Sequence, residues 1–345
     1  MNKRGDLVVL ASRSGVNFGK RVVDSMNLIR YEKRKIKKKY DKFCLHEMQT
    51  QDFADTNLEP EVPLTVRGSD VYLIQQCDNP NDSRTSLHNF YEALKGIRAL
   101  KTAGAEKITF ICPLHPDSRS DRTNGRIGIG ARLAADFITE AGATNVLTFD
   151  LHADQIEGFY DVNRTKIDNL KASRVIIPKI GEILGIDNLR NSTSASVDAG
   201  GARKAQHYAN VMGSNLAIGY KKRPKDKINT VNLVKIMGKL KSYLYSPDDM
   251  IDTAGSMIKL VNRAREINPE LEKMVLACTF PLFNGKALER LIKADVEVIG
   301  TDAIYRGPEF IKANPWYHEV SIAPIVAETI LDLNQNKSLE TSYRD

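Results

Sequence analysis

The sequence is poor in cysteine, has a single tryptophan and contains no long apolar run. Its four cysteines, Cys44, Cys77, Cys112 and Cys278, are scattered with no C-x-x-C pair. That spacing argues against a disulfide framework and against a thiolate zinc site, so reduced and mostly buried thiols are expected. No stretch approaches the roughly 20 residues of a membrane span, and Leu7–Ala11 is too short for a signal-peptide core, so a cytoplasmic protein is expected. The basic run Lys33–Lys39 lacks aromatic interleaving and any nucleic-acid module around it; it reads as a solvated helix face or protruding insert.

What remains is an ordinary globular composition, 42% apolar and 27% charged, over 345 residues, enough for about two buried cores. The net charge of +7 fits an anionic partner, and nucleotides or sugar phosphates satisfy it as well as nucleic acid does. The chain opens with an expected strand at Asp6–Ala11, a loop Ser12–Gly15 and a helix around Phe18–Met26. A turn at Arg67–Asp70 precedes the apolar strand Val71–Ile74, and a helix is expected over Leu87–Lys101. A pattern then recurs: helix, Gly-Ala, two polar residues and a β-rich run, as at Ala103–Ala105 before Ile108–Ile111 and at Ala141–Ala143 before Val146–Phe149. Looser versions precede Met274–Cys278 and Val296–Ile299. Alternation of this kind predicts an α/β fold with parallel sheets and ligands at the carboxyl ends of strands.

Several post-strand loops carry chemistry. The stretch Tyr243–Ser256 reads as strand, loop, helix. Its helix start, with the hydroxyls of Thr253 and Ser256, suits a phosphate. Asp248 and Asp249 repel phosphate and suit sugar hydroxyls or a divalent cation. Together they describe a sugar-phosphate site, although an isolated D-D-x-x-D more often marks a solvated turn capped by Asp252 or Thr253. In His115–Arg122 the arginines suit a polyphosphate, and the same composition would serve a surface loop with local ion pairs. In Asp150–Asp154, His152 ends a parallel strand, where it is placed to bind metal or polarise phosphate, although a lone histidine is more often merely hydrogen-bonded. Asp198, before Gly200 and Gly201, either holds a cation or caps the helix Ala202–Met212. The basic stretch Lys221–Lys227 is a solvated loop or a lid over phosphates.

In order, the motifs V-R-G-S-D-V-Y, S-R-S-D-R, F-D-L-H-A-D-Q, V-D-A-G-G-A-R-K-A, K-K-R-P and D-D-M-I-D-T-A-G-S make the chain resemble the ribose-phosphate diphosphokinases (PRPP synthetases) along nearly its whole length. The resemblance implies two similar phosphoribosyltransferase-like α/β domains, each a mostly parallel sheet flanked by helices. The first, 1–165, would carry ATP-side contacts and a basic insert near 31–42; the second, 166–330, the ribose 5-phosphate loop; 331–345 would be a tail. Asp252, Thr253, Ala254, Gly255 and Ser256 match the loop for the 5-phosphate, and Asp248 and Asp249 the carboxylates facing the ribose hydroxyls. His152 and Asp198 match positions associated with catalytic magnesium. Lys221 and Arg223 match the basic pair of a mobile catalytic loop. Arg119, with Ser120 beside it and His152, falls on the ATP side. Phe53, Asp55 and Asn57 fall where the family reaches into a neighbouring subunit's adenine pocket, which implies a homo-oligomer, commonly hexameric. The implied reaction is transfer of the β,γ-diphosphate of ATP to the 1-hydroxyl of ribose 5-phosphate, with Mg2+ as cofactor.

Departures stand out. Asn57 and Ser120 replace a usual glutamate and glutamine, and Thr279-Phe280 a usual Thr-His. Pro247 replaces an aliphatic residue. Arg126–Arg132 replaces a segment that in many members serves an allosteric phosphate and ADP site, so altered or absent ADP inhibition is expected; full inhibition at saturating ribose 5-phosphate would count against it. Two rival classes are a non-catalytic regulatory relative and a phosphoribosyltransferase that consumes the diphosphate. Retention of Lys221, Arg223, His152, Asp198 and the aspartates weighs against the first; Arg119 and His152 weigh against the second.

Overall fold

The computed structural model describes residues 4–34, 42–123, 125–222 and 232–339. The chain divides into two compact units, Met1–Lys171 with Asp302–Tyr305 and Ser321–Asp345, and Ala172–Thr301 with Arg306–Val320. Residues Asp302–Tyr305 and Ser321–Asp345 thus return to the first unit, a return that the expected division at 165/166 with a tail from 331 does not contain.

In the first unit β1 (Leu7–Ala11) runs through a tight turn, Arg13–Gly15, into α1 (Val16–Arg34). Next come β2 (Leu45–Glu47), the hairpin of β3 (Gln49–Asp52) and β4 (Leu58–Glu61), β5 (Asp70–Ile74) and α2 (Ser86–Thr102). Then β6 (Lys107–Ile111), α3 (Gly130–Ala141), β7 (Asn145–Phe149) and β8 (Lys166–Leu170) complete the sheet. Its order is β2-β1-β5-β6-β7-β8, paired in parallel throughout. Every residue of β5 and β7 is buried, as parallel strands covered on both faces require, which is why they read as apolar runs without alternation. Leu10, Leu73, Ile97, Phe110 and Ile138 meet in the core between sheet and helices. The recurring Gly-Ala has a backbone cause: Gly142 ends α3 in the left-handed region at φ +114° and donates to the carbonyls of Ile138 and Thr139. Gly15 answers a different need, because a Cβ there would lie 2.3 Å from the carbonyl oxygen of Ile74.

The second unit contains α4 (Ser173–Leu184), β9 (Ser192–Ser196), α5 (Ala202–Met212), β10 (Asn215–Lys222) and β11 (Asn232–Met237). It continues with β12 (Tyr243–Ile251), α6 (Gly255–Ile267), β13 (Lys273–Pro281), α7 (Ala287–Ala294), β14 (Glu297–Thr301), α8 (Pro308–Ala313) and β15 (Tyr317–Val320). The order is β11-β10-β9-β12-β13-β14-β15, with β11 antiparallel on β10 and the other pairs parallel. The last helix, α9 (Ala323–Asn334), packs on α1 in the first unit. Two mostly parallel sheets flanked by helices match the expected α/β class. Among the described residues no helix is long and apolar enough to cross a membrane.

Candidate active site

In a parallel sheet the loaded loops share one edge, the carboxyl ends of the strands. In the second unit three neighbouring strands, β10, β9 and β12, bring Lys221, Asp198 and the Asp248–Ser256 stretch to that edge. The acidic pair lies further inside the strand than the sequence suggests. β12 runs on to Ile251, and Asp248 pairs in register with Cys278 of β13. Asp249 is buried and Asp248 half-buried. Burial, followed by the adjoining Asp249 carboxylate, pushes Asp248 up to about 7, while Lys204 of α5 acts in the opposite direction. Lys204 is a site residue the sequence reading missed. Its signal was present in G-G-A-R-K-A, in the first turn of α5 and six residues past Asp198, but nothing in sequence connects it to Asp248.

The turn from β12 into α6 is built for backbone exposure. Ala254 sits at φ +58° and no side chain caps the start of α6. Asn284 Nδ2 donates to Asp252 Oδ1 at 2.9 Å, and Arg290 Nη1 donates to the Thr253 carbonyl at 2.7 Å. These two residues, also missed in sequence, hold the loop from outside while the hydroxyl-bearing Thr253 and Ser256 stay exposed. An uncapped helix start concentrates N–H donors and positive potential, so the loop can take an anion. After β9, Asp198 Oδ1 accepts the amides of Gly200 at 3.0 Å and Gly201 at 3.3 Å. Those bonds fold the turn ahead of α5, whose own start at Gly201 has no side-chain cap, so Asp198 is not the helix cap of the simpler alternative.

Lys221 lies near the end of β10, across from Leu233 of β11 next to an irregularity in the pairing. Arg223 lies outside the described residues, as does most of the basic insert near 31–42.

In the first unit, Arg119 and His152 are exposed on the loops that follow β6 and β7. Ser120 has local work: its Oγ accepts the Gly130 amide at 2.9 Å and its carbonyl accepts the Ala131 amide at 3.1 Å, which fastens the loop to the start of α3. Asp150, just before His152, holds the left-handed conformation at φ +35°. The tip of the β3–β4 hairpin carries Phe53, Asp55 and Asn57, all exposed. Hydrogen bonds from Asn57, through Nδ2 at 2.8 Å and its amide at 3.1 Å, hold the Asp55 carboxyl below its ordinary range. Next to the tip, Asp52 pairs with Arg13, which also reaches the buried Glu92 at 2.7 Å.

A family model described as the N-terminal domain of ribose phosphate pyrophosphokinase matches residues 8–142. The chain is 36% identical over 300 residues to a ribose-phosphate pyrophosphokinase of Thermotoga maritima, covering 85% of this chain and 88% of that one. It is 35% identical over 297 residues to the protein of the same name from Thermosipho africanus, again over 85% and 88% of the two chains. Among solved structures, phosphoribosylpyrophosphate synthetase from Mycobacterium smegmatis aligns with a TM-score of 0.78 at 28% identity, covering 96% of this chain and 99% of that one.

Proposed function

The chain belongs to the ribose-phosphate pyrophosphokinase family, and from that premise we propose how its residues divide the work. The enzyme transfers the β,γ-diphosphate of ATP to the 1-hydroxyl of ribose 5-phosphate, giving 5-phosphoribosyl 1-diphosphate and AMP. The bond from the ribose O1 to the β-phosphorus forms as the bond from that phosphorus to the α,β-bridging oxygen breaks, and the hydroxyl proton is released.

One observation carries the ribose 5-phosphate assignment: the acidic end of β12 runs within a few residues into an uncapped helix start. Asp248 and Asp249 suit the ribose hydroxyls, while Asp252, Thr253, Ala254, Gly255 and Ser256 suit the 5-phosphate. Arg119 and His152, with Ser120 holding the Arg119 loop on α3, address the ATP phosphates. Phe53, Asp55 and Asn57 on an exposed hairpin tip suit the adenosine end in a neighbouring copy of the chain, so a homo-oligomer is part of this reading. So is a cytoplasmic location, where both substrates are found.

The transferred group reacts through a loose transition state with charge on its oxygens, so positioning and cations carry catalysis. Lys221 and Arg223 supply fixed positive charge there. Among the described residues no group of three or more His, Cys, Asp or Glu is gathered as a metal cage. Magnesium takes one or two protein ligands together with substrate phosphates. His152 and Asp198 would hold it, and when bound it neutralises phosphate charge.

The test is AMP formation from ATP and magnesium, with and without ribose 5-phosphate, beside Lys221→Ala. We expect AMP that depends on ribose 5-phosphate and a fall of about 10²–10³ in kcat for the variant, the usual scale for a removed charge-stabilising donor. A Lys221→Ala enzyme at the full wild-type rate would remove Lys221 from the chemistry.

A further inference from the structure

Two buried aromatic rings join the loops that carry Arg119 and His152. His115, 2% exposed, opens the loop after β6; Tyr160, 5% exposed, closes the tight turn Asp154–Phe159 that follows His152. Their rings meet edge to face, with centroids 5.9 Å apart and planes at 88°. His115 Nε2 lies 2.8 Å from the Tyr160 hydroxyl, and Nδ1 lies 2.7 Å from the Pro116 carbonyl oxygen.

The protons on this pair have one consistent arrangement. The Pro116 carbonyl only accepts, so Nδ1 carries the hydrogen and Nε2 is left as the acceptor for the Tyr160 O–H. Burial depresses His115 to about 4 and raises the Tyr160 phenol, so both rings are neutral at physiological pH.

The surroundings make this contact a junction between the two loops. The Ser118 amide donates to the His115 carbonyl at 3.3 Å, and the Ser120 amide to the Asp117 carbonyl at 2.8 Å. Arg119 therefore sits on a short folded stretch pinned at one end by His115 and at the other by Ser120 on α3. On the facing loop, Gln155 Nε2 donates to the Asp121 carbonyl at 2.9 Å and to its Oδ2 at 2.8 Å. Leu151 and Ile156 pack with Ala131 beneath. The Gln155 link and its partner are partly or fully exposed, whereas the His115–Tyr160 link is sealed.

We propose that His115 and Tyr160 are positioning residues, a matched ring pair that fixes the separation of the Arg119 and His152 loops so that both side chains meet one polyphosphate. The proposal rests on the ATP-side reading of Arg119 and His152. Neither ring touches substrate, and their effect passes through the loops they join.

Matching is what the experiment probes. His115→Phe buries the Tyr160 hydroxyl without an acceptor, and Tyr160→Phe strips Nε2 of its donor. The double variant removes both polar partners and keeps two rings of similar shape, a change that physical precedent makes nearly neutral. Steady-state kinetics would be run on the full-length enzyme, varying ATP at saturating ribose 5-phosphate and the reverse, beside thermal melts and an Arg119→Ala control. Each single variant is expected to raise the KM for ATP by about five- to tenfold, the scale of a single net hydrogen bond. The KM for ribose 5-phosphate and kcat should hold within about twofold, and the double variant should return the KM for ATP to near the wild-type value. Tyr160→Phe removes one oxygen and leaves its ring in place, so it decides the question if His115→Phe does not fold. Singles that leave the KM for ATP unchanged, or that raise both KM values together in step with lost melting temperature, overturn the proposal. Unchanged kinetics in Arg119→Ala would instead overturn the ATP-side reading, while an effect of Arg119→Ala without one in the singles would sink the ring pair alone.

Discussion

Asp248 shows how one residue trades stability for function. Its carboxyl is pushed up to about 7 by burial and by Asp249, so the folded chain binds that proton more tightly than the unfolded chain does. The sign follows: the favourable contribution is present below the unfolded carboxylate range and is lost as pH rises through about 7. Asp248→Asn removes the titration and should raise the melting temperature at pH 8, by about 1–2 kcal/mol of stability, with the gain fading toward pH 5. The same variant should raise the KM for ribose 5-phosphate if the carboxylate faces the ribose hydroxyls as proposed. Melts across that pH range check the first part; a gain that grows toward acid would contradict it. The identity of Asp248 and Asp249 was legible in sequence beside T-A-G-S. The shift was not, since it arises from burial beside β13, with Lys204, also remote in the chain, working against it.

At the scale of elements, the β3–β4 hairpin depends on a link that sequence leaves unmarked. Arg13, in the turn after β1, reaches both Asp52, the last residue of β3 before the hairpin tip, and Glu92 of α2, whose side chain is fully buried. Arg13→Ala would leave the Glu92 carboxylate buried without its cation, at a cost of about 2 kcal/mol, and would free the tip side of the hairpin. We expect a lower melting temperature together with a raised KM for ATP; Glu92→Gln alongside Arg13→Ala should recover much of the stability and none of the hairpin's anchoring. If Arg13→Ala melts like the wild type, the link carries no weight. Parallel strands such as β5 and β7 were readable because both faces are buried and the apolar run is unbroken. The hairpin, β2, β11 and β15 were not, since short or half-exposed strands leave too little periodicity to separate them from loops.

On the scale of the whole molecule, the end of the chain belongs to its beginning. Nine residues of α9 are buried, and the helix lies on α1. Asn334 Nδ2 donates to the Gly5 carbonyl at 3.2 Å and to Asp70 Oδ2 at 3.0 Å. Asp302, also fully buried, accepts from Arg21 at 2.9 Å, from the Ser321 hydroxyl at 2.5 Å and from the Ile322 amide at 2.9 Å. A chain stopped at Val320 would lose α9, bare the apolar side of α1 and leave Asp302 and Asp70 short of donors. It should be insoluble or rapidly proteolysed within residues 1–171. A soluble, cooperatively melting protein ending at Val320 would show that the first unit folds without its C-terminal helix.

The sequence by itself determined the α/β class, the run of carboxyl-edge loops, the family and the side chains expected to meet substrate. Those features are local: a buried strand, a glycine that ends a helix and a motif at fixed spacing each declare themselves within about a dozen residues. Only the tertiary structure decided which distant groups act on them. Lys204 acts electrostatically on Asp248, Asn284 and Arg290 hold the turn before α6, His115 meets Tyr160, and the chain's last helix completes its first unit. Burial and hydrogen bonding between strand-edge loops depend on sheet order, and sheet order is fixed by packing the whole chain.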